Sequence, residues 1–224
     1  NGNELRCRTV GEGGNLGFTH AGRVEFASKG GRINNDAVDN SGGVDMSDHE
    51  VNLKILLADQ VAKGKLSTEE RNQLIYELTG EITDQVLENN NVHSRQISLD
   101  QVRSSKNPFP FARAIQWVTD QGGFSPARLG LPDTDAIAKR AVVDQGLTRP
   151  ELAVLGAHVK LEAAKLLDGE DPKVIPGMDD LIQAYFPPRV QEMYGPEIKE
   201  HMLATEIGFT VALNGMVVDA GAAA

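Results

Sequence analysis

Leu5-Arg6-Cys7-Arg8-Thr9-Val10-Gly11-Glu12-Gly13-Gly14-Asn15-Leu16-Gly17 is the stretch on which the fold class turns. Its first six residues alternate in polarity and favour extended backbone, so they read as a β-strand. The strand stops in a glycine loop, which would place backbone N–H groups at the carboxyl end of a sheet. Open α/β folds bind their ligands there. A second glycine pair, Gly30-Gly31, precedes Arg32-Ile33-Asn34-Asn35-Asp36-Ala37-Val38-Asp39, and a polar turn follows at Asn40-Ser41-Gly42-Gly43-Val44. Neither loop is a GxGxxG or a P-loop, and glycine-rich turns are most often only turns. Pattern alone therefore does not make either loop a ligand site.

Working outward, the chain changes character near residue 50. Of its 23 glycines, 10 lie in the first 50 residues, and all 10 prolines lie beyond residue 100. Helical patterns then take over. Ser47-Asp48-His49-Glu50 fits a capping box and predicts a helix from Ser47 to about residue 62. Ser67 and Glu70 offer a second box, and the helix after it carries Leu74, Leu78, Ile82 and Val86 as a buried stripe, ending at Asn89-Asn90-Asn91. A shorter helix is expected over 94–103, and Pro108 opens one that turns Phe111, Ile115 and Val118 inward and closes at Gly122-Gly123. Thr148 and Glu151 form a third box, with Pro150 in the first turn, and a last helix is expected from about Glu197 to the end. No internal repeat occurs.

Composition narrows the function classes. The 224 residues are 40% hydrophobic and 24% charged, an ordinary globular balance. A net charge of -10 repels phosphate backbones and anionic lipid, which argues against nucleic acid and membrane partners. No apolar run approaches a membrane span. One cysteine, Cys7, makes neither an internal disulfide nor a cysteine zinc site, which fits the cytoplasm. His20, His93, His158 and His201 are scattered without metal spacing, so no metal site is expected, and His49 beside Asp48 and Glu50 reads as solvated. The chain opens on Asn1 rather than Met and closes on an apolar run at Ala224, which reads as two cuts in a longer protein.

Three segments together carry a family resemblance. Gly11-Glu12-Gly13-Gly14-Asn15, the run Asp36-Ala37-Val38-Asp39-Asn40-Ser41-Gly42-Gly43-Val44 and Ser47 resemble, in order, the glycine loop, the Asn-Ala-Gly-Gly-Val segment and the following serine of the glutamate dehydrogenase catalytic core. Residues 30–57 and Gln145-Gly146-Leu147-Thr148-Arg149-Pro150-Glu151-Leu152-Ala153-Val154-Leu155 resemble specifically the large bacterial NAD-specific members. Two departures stand out: Gly14 replaces the usual alanine, and Asn35 stands where a proline usually precedes Asp36.

The resemblance implies an α/β remnant followed by a mainly α part. Residues 1–62 would be the C-terminal part of a Rossmann-like NAD-binding catalytic domain, and residues 63–224 a helical domain. It implies NAD as cofactor, L-glutamate and 2-oxoglutarate as reactants, and a homo-oligomer in the full-length protein. Gly13, Gly14, Asn15 and Asn40 would approach the cofactor, and Ser47 would hold the substrate's side-chain carboxylate. The family's catalytic lysine and aspartate would lie upstream, so no catalytic residue is assigned here and the fragment alone is expected to be inactive. On local evidence Asn15 and Asn40 serve equally as turn residues, Ser47 as a plain N-cap, and Asp36 and Asp39 as caps. The rival reading is a non-catalytic helical regulatory or oligomerisation module.

Overall fold

A helix starts where a side chain can take up the orphan amides of its first turn. The computed structural model, which describes residues 2–12 and 16–223, shows this repeatedly. In chain order the helices are α1 His20–Ser28, α2 Asp36–Asp39, α3 Ser41–Ala62, α4 Thr68–Lys106, α5 Phe109–Gly122 and α6 Pro126–Leu129. There follow α7 Thr134–Ala141, α8 Arg149–Leu167, α9 Met178–Ala184, α10 Pro188–Lys199 and α11 Ala204–Ala220. The Ser67 box forms as written: Ser67 N–H donates to Glu70 Oε2 at 2.8 Å and Glu70 N–H to Ser67 Oγ at 3.1 Å. At the head of α8, Thr148 N–H donates to Glu151 Oε2 at 2.7 Å. Gly123 closes α5 in the left-handed region at φ 64°, a conformation that glycine reaches without a Cβ penalty.

The α/β expectation is overturned. Among the described residues there is no strand, and Thr9 and Arg32 form only one isolated parallel bridge. Val10 N–H donates to the Arg32 carbonyl at 2.9 Å and Arg32 N–H to the Arg8 carbonyl at 3.0 Å, and the ladder goes no further. The alternation in 5–10 buries no face: Arg6, Cys7, Arg8 and Thr9 are all exposed. A strand is held by a covered face and a paired edge, and this segment has neither. The fold is all-helical, not a Rossmann-like remnant followed by helices.

By packing, the chain divides into two units. One comprises Asn1–Ser41, Val92–Leu166 and Gly215–Ala224; the other comprises Gly42–Asn91 and Leu167–Asn214. In the first, Ile97 from α4 meets Phe111, Ile115 and Val118 from α5, Ile137 from α7, and Leu152 and Leu155 from α8. Gly146 is needed there, because a Cβ would stand 2.5 Å from the Ser105 backbone nitrogen. That close approach lets Leu147 N–H reach Ser104 Oγ at 3.0 Å. In the second unit, Leu53, Leu56 and Leu57 of α3 pack with the Leu74, Leu78, Ile82 and Val86 stripe and with Ile182, Val190 and Ile198. Each fully buried leucine stabilises its core by about 1.5–3 kcal/mol.

Two helix boundaries differ from the sequence reading. The triplet Asn89-Asn90-Asn91 does not end a helix, and α4 continues to Lys106. Asn90 Nδ2 bonds back to the Val86 carbonyl at 2.7 Å and Asn89 Nδ2 reaches Asp45 Oδ2 at 2.9 Å, so the amides are satisfied inside a helix. The propensity cost of three asparagines, roughly 0.5 kcal/mol each, is small against the buried Val86 and Ile97 on either side. The final apolar stretch is two helices, with Tyr194 non-helical inside α10 and α11 starting only at Ala204. No helix among the described residues is long and apolar enough to cross a membrane.

Candidate functional site

The two segments singled out near the start of the chain meet in the first unit, at one carboxylate. Thr19 opens α1, its Oγ1 accepting from Gly22 N–H at 3.1 Å, and α1 carries Arg23 inward, where it is 1% exposed. Arg23 pairs with the Glu12 carboxylate, donates through Nη1 to the Asn34 carbonyl at 3.0 Å, and stands 3.8 Å from Asp39 Oδ2. Asp39 accepts from Glu12 N–H at 3.2 Å and from Asn34 Nδ2 at 3.0 Å. Glu12 in turn accepts from Gly17 N–H at 2.7 Å. Glu12, Gly17 and the 34–40 turn are thereby tied into one polar lattice. Asp36 and Asp39 act as turn and lattice acceptors: Asp36 Oδ1 takes Ala37 N–H at 3.1 Å.

A fifth member of the lattice is absent from the sequence reading. Arg149, at the start of α8, donates through Nε to Asn34 Oδ1 at 2.8 Å, through Nη1 to Ser98 Oγ at 2.6 Å and through Nη2 to Ser94 Oγ at 3.2 Å. Asn34 and Arg149 are 115 residues apart, and no local pattern signals such a pair. Burial lowers the affinity of Arg149 for its proton, opposed by the charge of Asp39. Burial does the same to Lys160 on α8.

The imidazole of His93 is pushed down to about 4, first by burial and then by the positive charges of Lys160 and Arg149. In the unfolded chain it returns toward 6.5. Between those values the unfolded state binds the extra proton, so His93's contribution is fully present above pH 6.5 and is lost as pH falls toward 4. Discounted for its half-buried position, the loss is about 2 kcal/mol. Urea midpoints at pH 7 and pH 4.5 should fall further for the native protein than for His93→Gln; equal falls would refute the assignment.

Of the expected site residues, Gly13, Gly14 and Asn15 lie outside the described residues. Asn40 is half-buried in the first unit, where it ends α2, its backbone N–H donating to the Asp36 carbonyl at 2.9 Å. Ser47 belongs to the second unit. It does not open a helix: α3 starts six residues earlier, at Ser41. The reason is local, since Asn35 caps α2 through Val38 N–H at 2.9 Å, Asn40 ends it, and α3 follows at once. Ser47 is exposed in the second turn, and its hydroxyl donates to the Val44 carbonyl at 2.8 Å. Lys29 and Arg32 are exposed and line a shallow cavity with Arg8, Gly30 and Gly31.

Along α3 in the second unit, His49 corrects the expectation that it is solvated. It is 4% exposed, with its ring stacked on Tyr185 at 4.3 Å between centroids. Burial lowers its pKa, opposed by the charges of Asp45 and Asp48. The Tyr185 hydroxyl donates to Asp48 Oδ2 at 2.7 Å and accepts from Asn52 Nδ2 at 2.8 Å, and burial pushes that phenol upward. His201 Nε2 meets the Asn52 carbonyl at 3.1 Å. Tyr185 and His201 anchor the helix that bears Ser47.

Comparison with known proteins now bears on these segments. Residues 1–100 match the family model described as bacterial NAD-glutamate dehydrogenase, catalytic domain, and residues 144–224 match glutamate dehydrogenase, C-terminal. The chain is 39% identical over 224 residues to the NAD-specific glutamate dehydrogenase of Mycobacterium tuberculosis, covering 99% of this chain and 14% of that protein. It is 38% identical over 216 residues to the protein of the same name from Halomonas elongata, covering 96% of this chain and 13% of that protein. The Pseudomonas aeruginosa protein, again of that name, is 38% identical over 219 residues, with 96% and 13% covered. The chain thus spans about one seventh of the length of the curated relatives it matches.

Proposed function

Because this chain belongs to the bacterial NAD-glutamate dehydrogenase family, we propose that it serves, within a longer polypeptide, the NAD-dependent oxidative deamination of L-glutamate to 2-oxoglutarate and ammonia. The observation that carries this reading is the shared carboxylate of Asp39, on which Glu12 and Asn34 converge just before Asn40. A turn tied in this way suits a flat group that must be held at a fixed angle. NAD, when bound, accepts the hydride from the substrate's Cα. Asn40 both donates and accepts toward the neutral carboxamide and ribose of that cofactor, and Gly13, Gly14 and Asn15 complete the approach from the loop. Ser47 donates its hydroxyl to the side-chain carboxylate of glutamate, releasing the Val44 carbonyl to do so. Residues 1–62 are the cofactor-facing and substrate-facing part in this proposal, and 63–224 the supporting helical part. A cytoplasmic location and a homo-oligomeric enzyme belong to the same proposal; the exposed thiol of Cys7 suits a reducing compartment.

The test is glutamate-dependent NADH formation by the full-length gene product that carries this sequence. Ser47→Ala should raise KM for glutamate and Asn40→Ala KM for NAD, each by about 10–100-fold, the value of one hydrogen bond to a charged or tightly held group. The 224 residues alone should not turn over. A full-length product inactive on glutamate would replace the enzyme by a helical regulatory or oligomerisation module. Unchanged kinetics in Ser47→Ala would return that serine to a purely helical role.

A further inference from the structure

We propose that Arg149 is a positioning residue for the cofactor-facing turn, acting through Asn34 and Asp39 on the backbone beside Asn40. The inference rests on the cofactor role of that turn and adds a residue from the far end of the sequence. Arg149 occupies the first position of α8, where the helix dipole disfavours a cation. Half-burial adds a desolvation cost. Helix stability alone does not call for a cation there, whereas its partners do. Ser94 and Ser98 lie one turn apart on α4 and hold the two terminal nitrogens, which leaves Nε aimed at Asn34 Oδ1. The Asn34 amide is then fixed in orientation and donates to Asp39 Oδ1, while Asp39 Oδ2 receives Glu12 N–H. Asn40 follows Asp39 directly in the chain.

Only a planar fork reaches all three acceptors at once; a lysine ammonium is a point donor and cannot. The Nε, Nη1 and Nη2 groups of Arg149 all donate to protein acceptors, so it orients the turn and does not touch the reacting atoms.

The experiment uses the full-length gene product, with NADH affinity by calorimetry alongside steady-state kinetics. Arg149→Gln and Asn34→Ala should each weaken NADH binding and raise KM for NAD about tenfold, with KM for glutamate unchanged. The double variant should be no weaker than the worse single one, because both break the same relay. Arg149→Lys should not restore affinity. Native NADH affinity in Arg149→Gln, multiplying effects in the double variant, or rescue by lysine would each overturn the proposal. If Arg149→Gln does not fold, Asn34→Ala with native NADH affinity overturns it alone. A native protein that neither binds NADH nor oxidises glutamate would instead bring down the underlying reading, and this inference with it.

Discussion

Replacing Arg23 by methionine is expected to lower the unfolding free energy by about 3–5 kcal/mol, because it leaves buried acceptors without their cation. Methionine fills much of the volume along α1, so lost packing is a minor part of the change. The damage is electrostatic. The Glu12 carboxylate is 16% exposed and that of Asp39 10%, and both face Arg23. Without the guanidinium, the Asn34 carbonyl also loses a 3.0 Å donor. Urea denaturation followed by circular dichroism should show a lower midpoint at an unchanged slope. A change under about 0.5 kcal/mol would mean that solvent reaches the lattice and replaces the arginine. Adding Glu12→Gln to the variant should recover part of the loss, since an uncharged partner no longer pays for burial without a cation.

Glu151→Ala should be comparably severe, again about 3–5 kcal/mol. Glu151 is 1% exposed and accepts four hydrogen bonds from two residues. It receives both terminal nitrogens of Arg140, at 2.8 and 2.9 Å. It also takes the N–H and the hydroxyl of Thr148, at 2.7 and 2.8 Å. Alanine removes the cap of α8 and strands a half-buried guanidinium in the same step. Hydrogen bonding to Glu151 holds the Arg140 proton more firmly than usual, consistent with that dependence. Glu151→Gln keeps one acceptor for the cap and should lose markedly less. Equal losses in the two variants, read from the same urea titration, would show that a neutral acceptor at this position contributes nothing and that the charge carries the whole effect. Because Arg149 lies two residues before Glu151, the alanine variant should also weaken NADH binding wherever the cofactor proposal holds.

Much of this fold was legible residue by residue. Ser67 with Glu70 and Thr148 with Glu151 close their boxes, Gly123 ends α5, and Phe111, Ile115 and Val118 face inward as their spacing requires. The family too was readable from contiguous runs, because close backbone approach and fixed turn geometry restrict residues that are neighbours in sequence. The misreadings share a different character. Residues 5–10 have the alternation of a strand but nothing covers either face, so the pattern pairs at one bridge and stops. Ser47 and Glu50 spell a cap that is never used, since Asn35 and Asn40 have already brought the chain into helix at Ser41. His49, between two acids, looks solvated until Tyr185 stacks on it from 136 residues away.

The sequence by itself determined where α4, α5 and α8 begin, which stripes α4 and α5 bury and to which family the chain belongs. These depend on interactions between residues one to four positions apart, or on runs short enough to read directly. Only the tertiary structure decided that no sheet accompanies the helices among the described residues and that α4 runs through three asparagines. It alone showed that Arg23 ties Glu12 to the turn before Asn40 and that Arg149 holds Asn34 of that turn. Such outcomes depend on what stands opposite a side chain in space. A guanidinium finds its partner through burial and geometry, across 11 residues for Arg23 and 115 for Arg149.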